Sequence, residues 1–110
     1  MPNSFKRVFS RGVGIANTTV GSYTSPASTN TTIIGLTLAN IDAGDITVSV
    51  MHNDGSANTY VAKNTAVAAG ETFVVVGGDQ KIVLQEGDGI NVSSNTAASV
   101  DVVMSVLEIT

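Results

Sequence analysis

The sequence predicts an all-β protein: a single-domain antiparallel β-sandwich or jelly roll of about eight strands with an extended N-terminal arm. Three observations lead there. Apolar residues alternate with polar ones in several separate runs. Clusters of Gly, Asn, Asp and Ser interrupt those runs about every 8–12 residues. No window sustains the apolar period of a helix. A chain of 110 residues is the size of one domain. With 43% hydrophobic and 13% charged residues it has apolar surface enough to offset chain entropy and fold.

Residues 1–30 read as an N-terminal arm and first strand, and residues 31–110 as the sandwich body. Lys6 to Val13 alternates as a strand could, but Gly12, Gly14, Gly21 and the Ser/Thr/Asn-rich stretch from Thr18 to Thr32 read as turns or extended chain. From Thr31 to Asn40 the alternation sends Ile34, Leu36 and Leu38 to one face and Ile33, Gly35, Thr37 and Ala39 to the other. Ile41 to Asp45 supplies turn chemistry, and Ile46 to Met51 resumes with Ile46, Val48 and Val50 inward and Thr47, Ser49 and Met51 outward. These two runs are expected to pair as a hairpin. His52 to Asn58 is rich in residues that tolerate left-handed backbone and predicts a second hairpin to the short strand Thr59–Lys63.

Downstream, Val67 to Glu71 introduces the β-branched run Thr72–Val76, Gly77 to Asp79 breaks it, and Lys81–Leu84 follows. Gln85 to Gly89 is a turn, Gly89–Ser93 a short strand, and Ser94 to Ala98 another turn. Ser99 to Ile109 is expected to be the longest strand, with Val100, Val102, Met104 and Val106 on one side and Asp101, Val103, Ser105 and Leu107 on the other. Its second side is too apolar for open water, as in a central strand covered by another layer or by a neighbouring subunit.

Charge is uneven. The net charge is −4, from five basic and nine acidic residues. Lys6, Arg7 and Arg11 put three cations and no acid in the first eleven positions, so the remainder carries two cations against nine acids, a net −7. Such a body repels phosphate backbones, which argues against nucleic-acid binding by the folded part. The arm is expected to meet acidic protein surface or to lie solvated. No cysteine is present, no apolar run approaches the roughly 20 residues of a membrane span, and the polar, basic start lacks the apolar stretch of a secretory signal.

Motifs for chemistry are thin. His52 beside Asn53 and Asp54 lacks the strained serine turn and oxyanion hole that a catalytic triad requires. One histidine without cysteine cannot build a tetrahedral metal site. Asp42 with Asp45, Asp79, and Glu86 with Asp88 sit in turns, where Asp and Gly are the usual residues, and none follows the EF-hand ligand spacing. With no Trp, two Tyr and three Phe, neither a sugar groove nor a base-stacking platform is well furnished. Gly12-Val13-Gly14 lacks the third glycine and helix of a dinucleotide fingerprint. The glycosylation-like triplets at Asn17, Asn30 and Asn91 are expected in any Thr/Asn-rich chain. No catalytic residue, cofactor or metal is assigned, and the expectation is a protein that is not an enzyme. Strand faces of Thr, Ser, Ala and Asn with interspersed Val and Ile, carrying few charges, suit burial against another protein, so self-association is expected.

The C-terminal half carries a resemblance. Val67-Ala-Ala-Gly-Glu71 before Thr72–Val76, Lys81-Ile-Val-Leu84 leading to the Gly87-Asp88 turn, and a final strand ending Ser105-Val-Leu-Glu-Ile109 resemble small structural proteins of tailed bacteriophages, particularly marine and cyanobacterial ones. The resemblance implies a β-sandwich virion component that assembles by surface contact without catalysis. It implies a capsid decoration (cement) protein, a homo-oligomer such as a trimer, bound to the major capsid or other virion proteins, with a neck, tail or fibre-associated position as the alternative. No membrane or small-molecule partner is expected. The partner-binding candidates are Lys6, Arg7, Phe9 and Arg11 on the basic segment and Val103 and Leu107 on the second side of the last strand. A receptor- or glycan-binding module, using the loops Asn53–Asn58 and Asn95–Ser99, is the alternative of another class.

Overall fold

The computed structural model describes residues 3–77 and 81–110; the expected turn at Gly78 and Asp79 lies outside them. Among these residues, nine strands form two antiparallel sheets: β1 Asn3–Val13, β2 Thr18–Thr24, β3 Asn30–Asn40, β4 Ile46–Asn53, β5 Asn58–Val67, β6 Thr72–Val76, β7 Ile82–Leu84, β8 Gly89–Ser94 and β9 Val100–Ile109. The first sheet runs β1-β9-β3-β6, with β7 also pairing β3, and the second runs β2-β8-β4-β5. All-β sandwich architecture is therefore as the alternation requires. The ninth strand is β7, three residues long, which shares the far side of β3 with β6.

The core lies between the sheets. Ile33, Leu36, Leu38, Val102, Met104 and Val106 from the first sheet meet Val20, Ile46, Val48, Val50, Ile90 and Val92 from the second, all essentially without solvent contact. β9 is central, flanked along its length by β1 and β3, and its inward side is the expected Val100, Val102, Met104 and Val106. β1 and β3, at 11 residues each, are one residue longer than β9.

Four expectations need correction. First, the basic N-terminus is not an arm. β1 pairs with β9 from Asn3↔Ile109 to Val13↔Val100 and buries Val8 and Val13, while β2 belongs to the second sheet. Of the glycines that read as arm chemistry, Gly12 and Gly21 take positive φ inside β1 and β2, and Gly14 lies in the loop between them. At Gly21 (φ 57) an added Cβ would overlap Val8 Cγ1, so β2 can cross close to β1 only because nothing projects there. Gly21→Ala should lose about 2–4 kcal/mol, the sum of a left-handed backbone penalty and overpacking, read as a lower midpoint in urea unfolding.

Second, β3 does not keep one alternation. Ile33 faces Val106 and Gly35 faces Ser105, so an extra residue, Ile34, is inserted as a bulge. The phase flips there: Ile33 and Leu36 are both buried and Ile34 is turned to the half-covered outer side.

Third, β3 and β4 are not a hairpin, since each lies in a different sheet. The connection winds around the buried side chain of Asn40, which donates through Nδ2 to the carbonyls of Gly44 and Val67 (3.0 Å each) and accepts from the Asp42 amide at 2.8 Å. With both ends of the loop tied to one amide, the chain steps across to the second sheet. The β4–β5 hairpin does form, with Asp54 Oδ1 accepting from the amides of Ser56 and Ala57.

Fourth, Ser49 and Met51 alternate outward as expected but are covered, at 8% and 5% exposure. β5 bulges against β4 at this point, and Ser49 Oγ accepts from the Asn64 amide (3.0 Å), where Asn64 takes φ 50.

Candidate assembly surface

In a strand, successive side chains leave on opposite sides. Because Val102, Met104 and Val106 point into the core, the residues paired with them on β1, namely Ser10, Val8 and Lys6, lie on the inner side as well. Phe5, Arg7, Phe9 and Arg11 therefore share the outer side of the first sheet. The register then carries that face across the other strands. Phe5 aligns with Leu107, Thr32 and Val83; Arg7 with Ser105 and Gly35; Phe9 with Val103, Thr37 and Val74. Two rows, each apolar but for one threonine, run from one edge of the sheet to the other, with the small residues Ser105 and Gly35 between them beyond Arg7.

Phe5 is 74% exposed and Val74 58%, and Phe9, Val83 and Val103 are exposed too. Arg7, Arg11 and Asp101 bring charge to this face. The guanidinium carbons of Arg7 and Arg11 stand 5.4 and 5.8 Å from the Phe9 ring centroid, so the ring is flanked by two cations in a ladder along β1. Asp101 Oδ1 accepts from the Gly12 amide at 2.9 Å, next to the end of that ladder.

Of the sequence-predicted contact residues, Arg7, Phe9, Arg11, Val103 and Leu107 are thus gathered on one surface. Lys6 is not. As the strand neighbour of Arg7 it turns inward, and its Nζ lies 3.1 Å from Glu108 Oε1. Phe5, Val74 and Val83 belong to the face and were not singled out. Phe5 shares the parity of Phe9 and was legible from the alternation, whereas Val74 and Val83 join only through a register set by distant strands.

Glu108 anchors a buried polar chain at the end of the sandwich where β1 begins. Tyr23 Oη donates to Glu108 Oε2 (2.6 Å) and lies 3.0 Å from Thr31 Oγ1, which is 2.8 Å from Ser25 Oγ. The hydrogen bond from Tyr23, and secondarily Lys6, holds the Glu108 carboxyl below its ordinary 4.5 against the opposing effect of burial. Burial, and then Glu108 itself, pushes the Tyr23 phenol up to about 12.

A carboxyl whose folded pKa is depressed stabilises the fold above its unfolded value, and that contribution is lost as pH falls through the folded value. Thermal stability of the wild type should therefore fall on acidification below pH 4.5, and Glu108→Gln should flatten that loss, read as melting temperature across acidic pH. A raised phenol works in the other sense: its contribution is complete below pH 10 and lost as pH climbs toward 12.

The remaining candidates have structural work. His52 Nε2 lies 2.9 Å from Asp88 Oδ2, which also accepts from the Gln85 amide, so the pair fastens the end of β4 to the β7–β8 turn. The acidic turn residues accept backbone N–H bonds: Asp42 from Gly44, Asp45 from Ala69, Glu86 from Ser28. Among the described residues no three His, Asp or Glu side chains gather as a metal-ligand set.

No protein-family model matches the chain, and no curated protein is similar to it. Among solved structures it is similar to a chain of the Bacillus endospore appendages, described as forming a novel family of disulfide-linked pili, at 14% identity and TM-score 0.57, covering 99% of this chain and 87% of that one. PirA is similar at 17% identity and TM-score 0.48, covering 97% and 93%. The likeness to the appendage chain is one of fold, extending over nearly the whole sandwich.

Proposed function

We propose that this chain is a structural subunit that acts by packing into a larger assembly, without catalysis, and that the assembly is the virion of a tailed bacteriophage, where the sandwich decorates the capsid. The observation that supports it is the outer face of the first sheet: four strands across, with two rows that are apolar except for Thr32 and Thr37, and with few of the charges that keep open faces apart. Contacts of modest size repeated over a symmetric shell add up to substantial stabilisation. The partners are further copies of the chain and the shell protein beneath.

The fold shared with an endospore-appendage chain favours a second reading, a subunit of a filament or appendage. The disulfide linkage named for those pili has no counterpart here, because this sequence contains no cysteine. A filament of this chain would be held by non-covalent faces alone.

Sedimentation velocity across a concentration series, with and without undecorated phage shells, tests both readings. Self-association together with co-sedimentation on shells is expected. Filaments formed by the chain alone, with no shell binding, would move the conclusion to the second reading. A monomer at every concentration that binds an oligosaccharide array would replace both with a glycan-binding module.

A further inference from the structure

We propose that copies of this chain join head to face: the Arg7–Phe9–Arg11 ladder of one copy receives the acidic, isoleucine-bearing end of the next. The proposal rests on the assembly reading above and specifies its contact.

The two ends of the sandwich differ. At the end where β1 and β3 finish, both opposite Val100, the loops carry Ile15 and Ile41, 67% and 52% exposed. Around them lie Asp42 and Asp45 in the β3–β4 loop and Glu71 in the β5–β6 loop. Two large apolar side chains set among three carboxylates form a surface of a definite kind. At the other end the turn acids Asp54, Glu86 and Asp88 accept backbone amides, as Asp42 and Asp45 do, but no exposed large apolar side chain stands in the turns between them.

The face offers the complement. Arg7 and Arg11 form no ion pair with a carboxylate among the described residues, and both are exposed. Beside Phe9 and Val103 a groove of about 230 Å³ is lined also by Arg11 and Asp101. An isoleucine can seat against the Phe9 ring while carboxylates meet the two guanidiniums, an apolar centre with a charged rim. Two copies of the face laid on each other would instead bring cation ladders together, which like-charge repulsion opposes.

The two surfaces are different patches of the chain, so the contact is heterologous. Each copy keeps one unused surface after joining, and growth continues to a ring or an open filament instead of stopping at a two-fold dimer.

Charge reversal separates the possibilities. Arg7→Glu/Arg11→Glu removes the face, and Asp42→Lys/Glu71→Lys removes the end. Ile41→Ser is a second end variant that leaves every turn carboxylate in place. Each should weaken association about 100-fold or more in sedimentation velocity. An equimolar mixture of the Arg7→Glu/Arg11→Glu face variant with the Ile41→Ser end variant should form one-to-one dimers and nothing larger, since the only other pairing sets the acidic end against a glutamate-bearing face. Combining all four charge reversals in one chain should restore growth. The inference is overturned if the wild type assembles and the end variants assemble as well as it does, or if the mixed variants stay monomeric. A wild type that never assembles overturns the reading on which the inference stands.

Discussion

Val102→Asp should abolish the cooperative unfolding transition at neutral pH. Val102 is the third residue of β9, 1% exposed, with Ser10 on one flank and Leu38 on the other, and points at the apolar side of the second sheet. A carboxylate there has neither water nor a counter-charge, a cost of several kcal/mol on top of the lost valine packing. A domain of this size commands about 5–15 kcal/mol in all. The adjacent Val103→Asp makes the contrast, because its side chain leaves on the outer side and is 46% exposed. That variant should melt within about 1 kcal/mol of the wild type. Far-UV circular dichroism during heating distinguishes the two directly.

Removing residues 1–11 should have a comparable effect. Read as an arm, the basic segment would be dispensable for folding. As β1 it supplies the partner of β9 over nearly its full length, covers the flank of Val102, Met104 and Val106 with Val8, and gives Glu108 its cation. The truncated chain would leave β9 an exposed edge strand, paired to β3 alone, and leave Glu108 without Lys6. It should be recovered insoluble or with a broad, non-cooperative melt. A truncated chain that melts sharply near the wild-type temperature would show that β1 contributes little.

The contrast between these segments shows where sequence reasoning reaches. Alternation alone placed the apolar inward side chains of β9 and the Ile46, Val48 and Val50 side of β4, because one face of each strand is fully buried, although it did not mark Glu108 as inward. It misassigned Ile33 and Ile34 because a bulge advances the count by one, and nothing short-range in Thr-Thr-Ile-Ile-Gly announces it. The β3–β4 hairpin failed for a different reason: an Ile-Asp-Ala-Gly-Asp turn is compatible with either pairing or crossing, and the choice is made by Asn40 bonding to Val67, far along the chain. Lys6 was grouped with Arg7 on charge, although neighbouring strand residues must face opposite ways. The surface itself was half legible. Arg7, Phe9, Arg11, Val103 and Leu107 lie on it, but Val74 and Val83 arrive through pairings that only the folded topology defines.

The account stands on the outer side of the first sheet being covered when the protein is at work. Hydroxyl-radical footprinting of dilute and concentrated protein addresses this side chain by side chain. Phe5, Phe9 and Val103 should lose reactivity as concentration rises, while Tyr60, exposed on β5 of the second sheet, keeps its own. Equal reactivity of Phe5 and Phe9 at both concentrations, in protein that has visibly associated, would place the contact elsewhere and contradict the account.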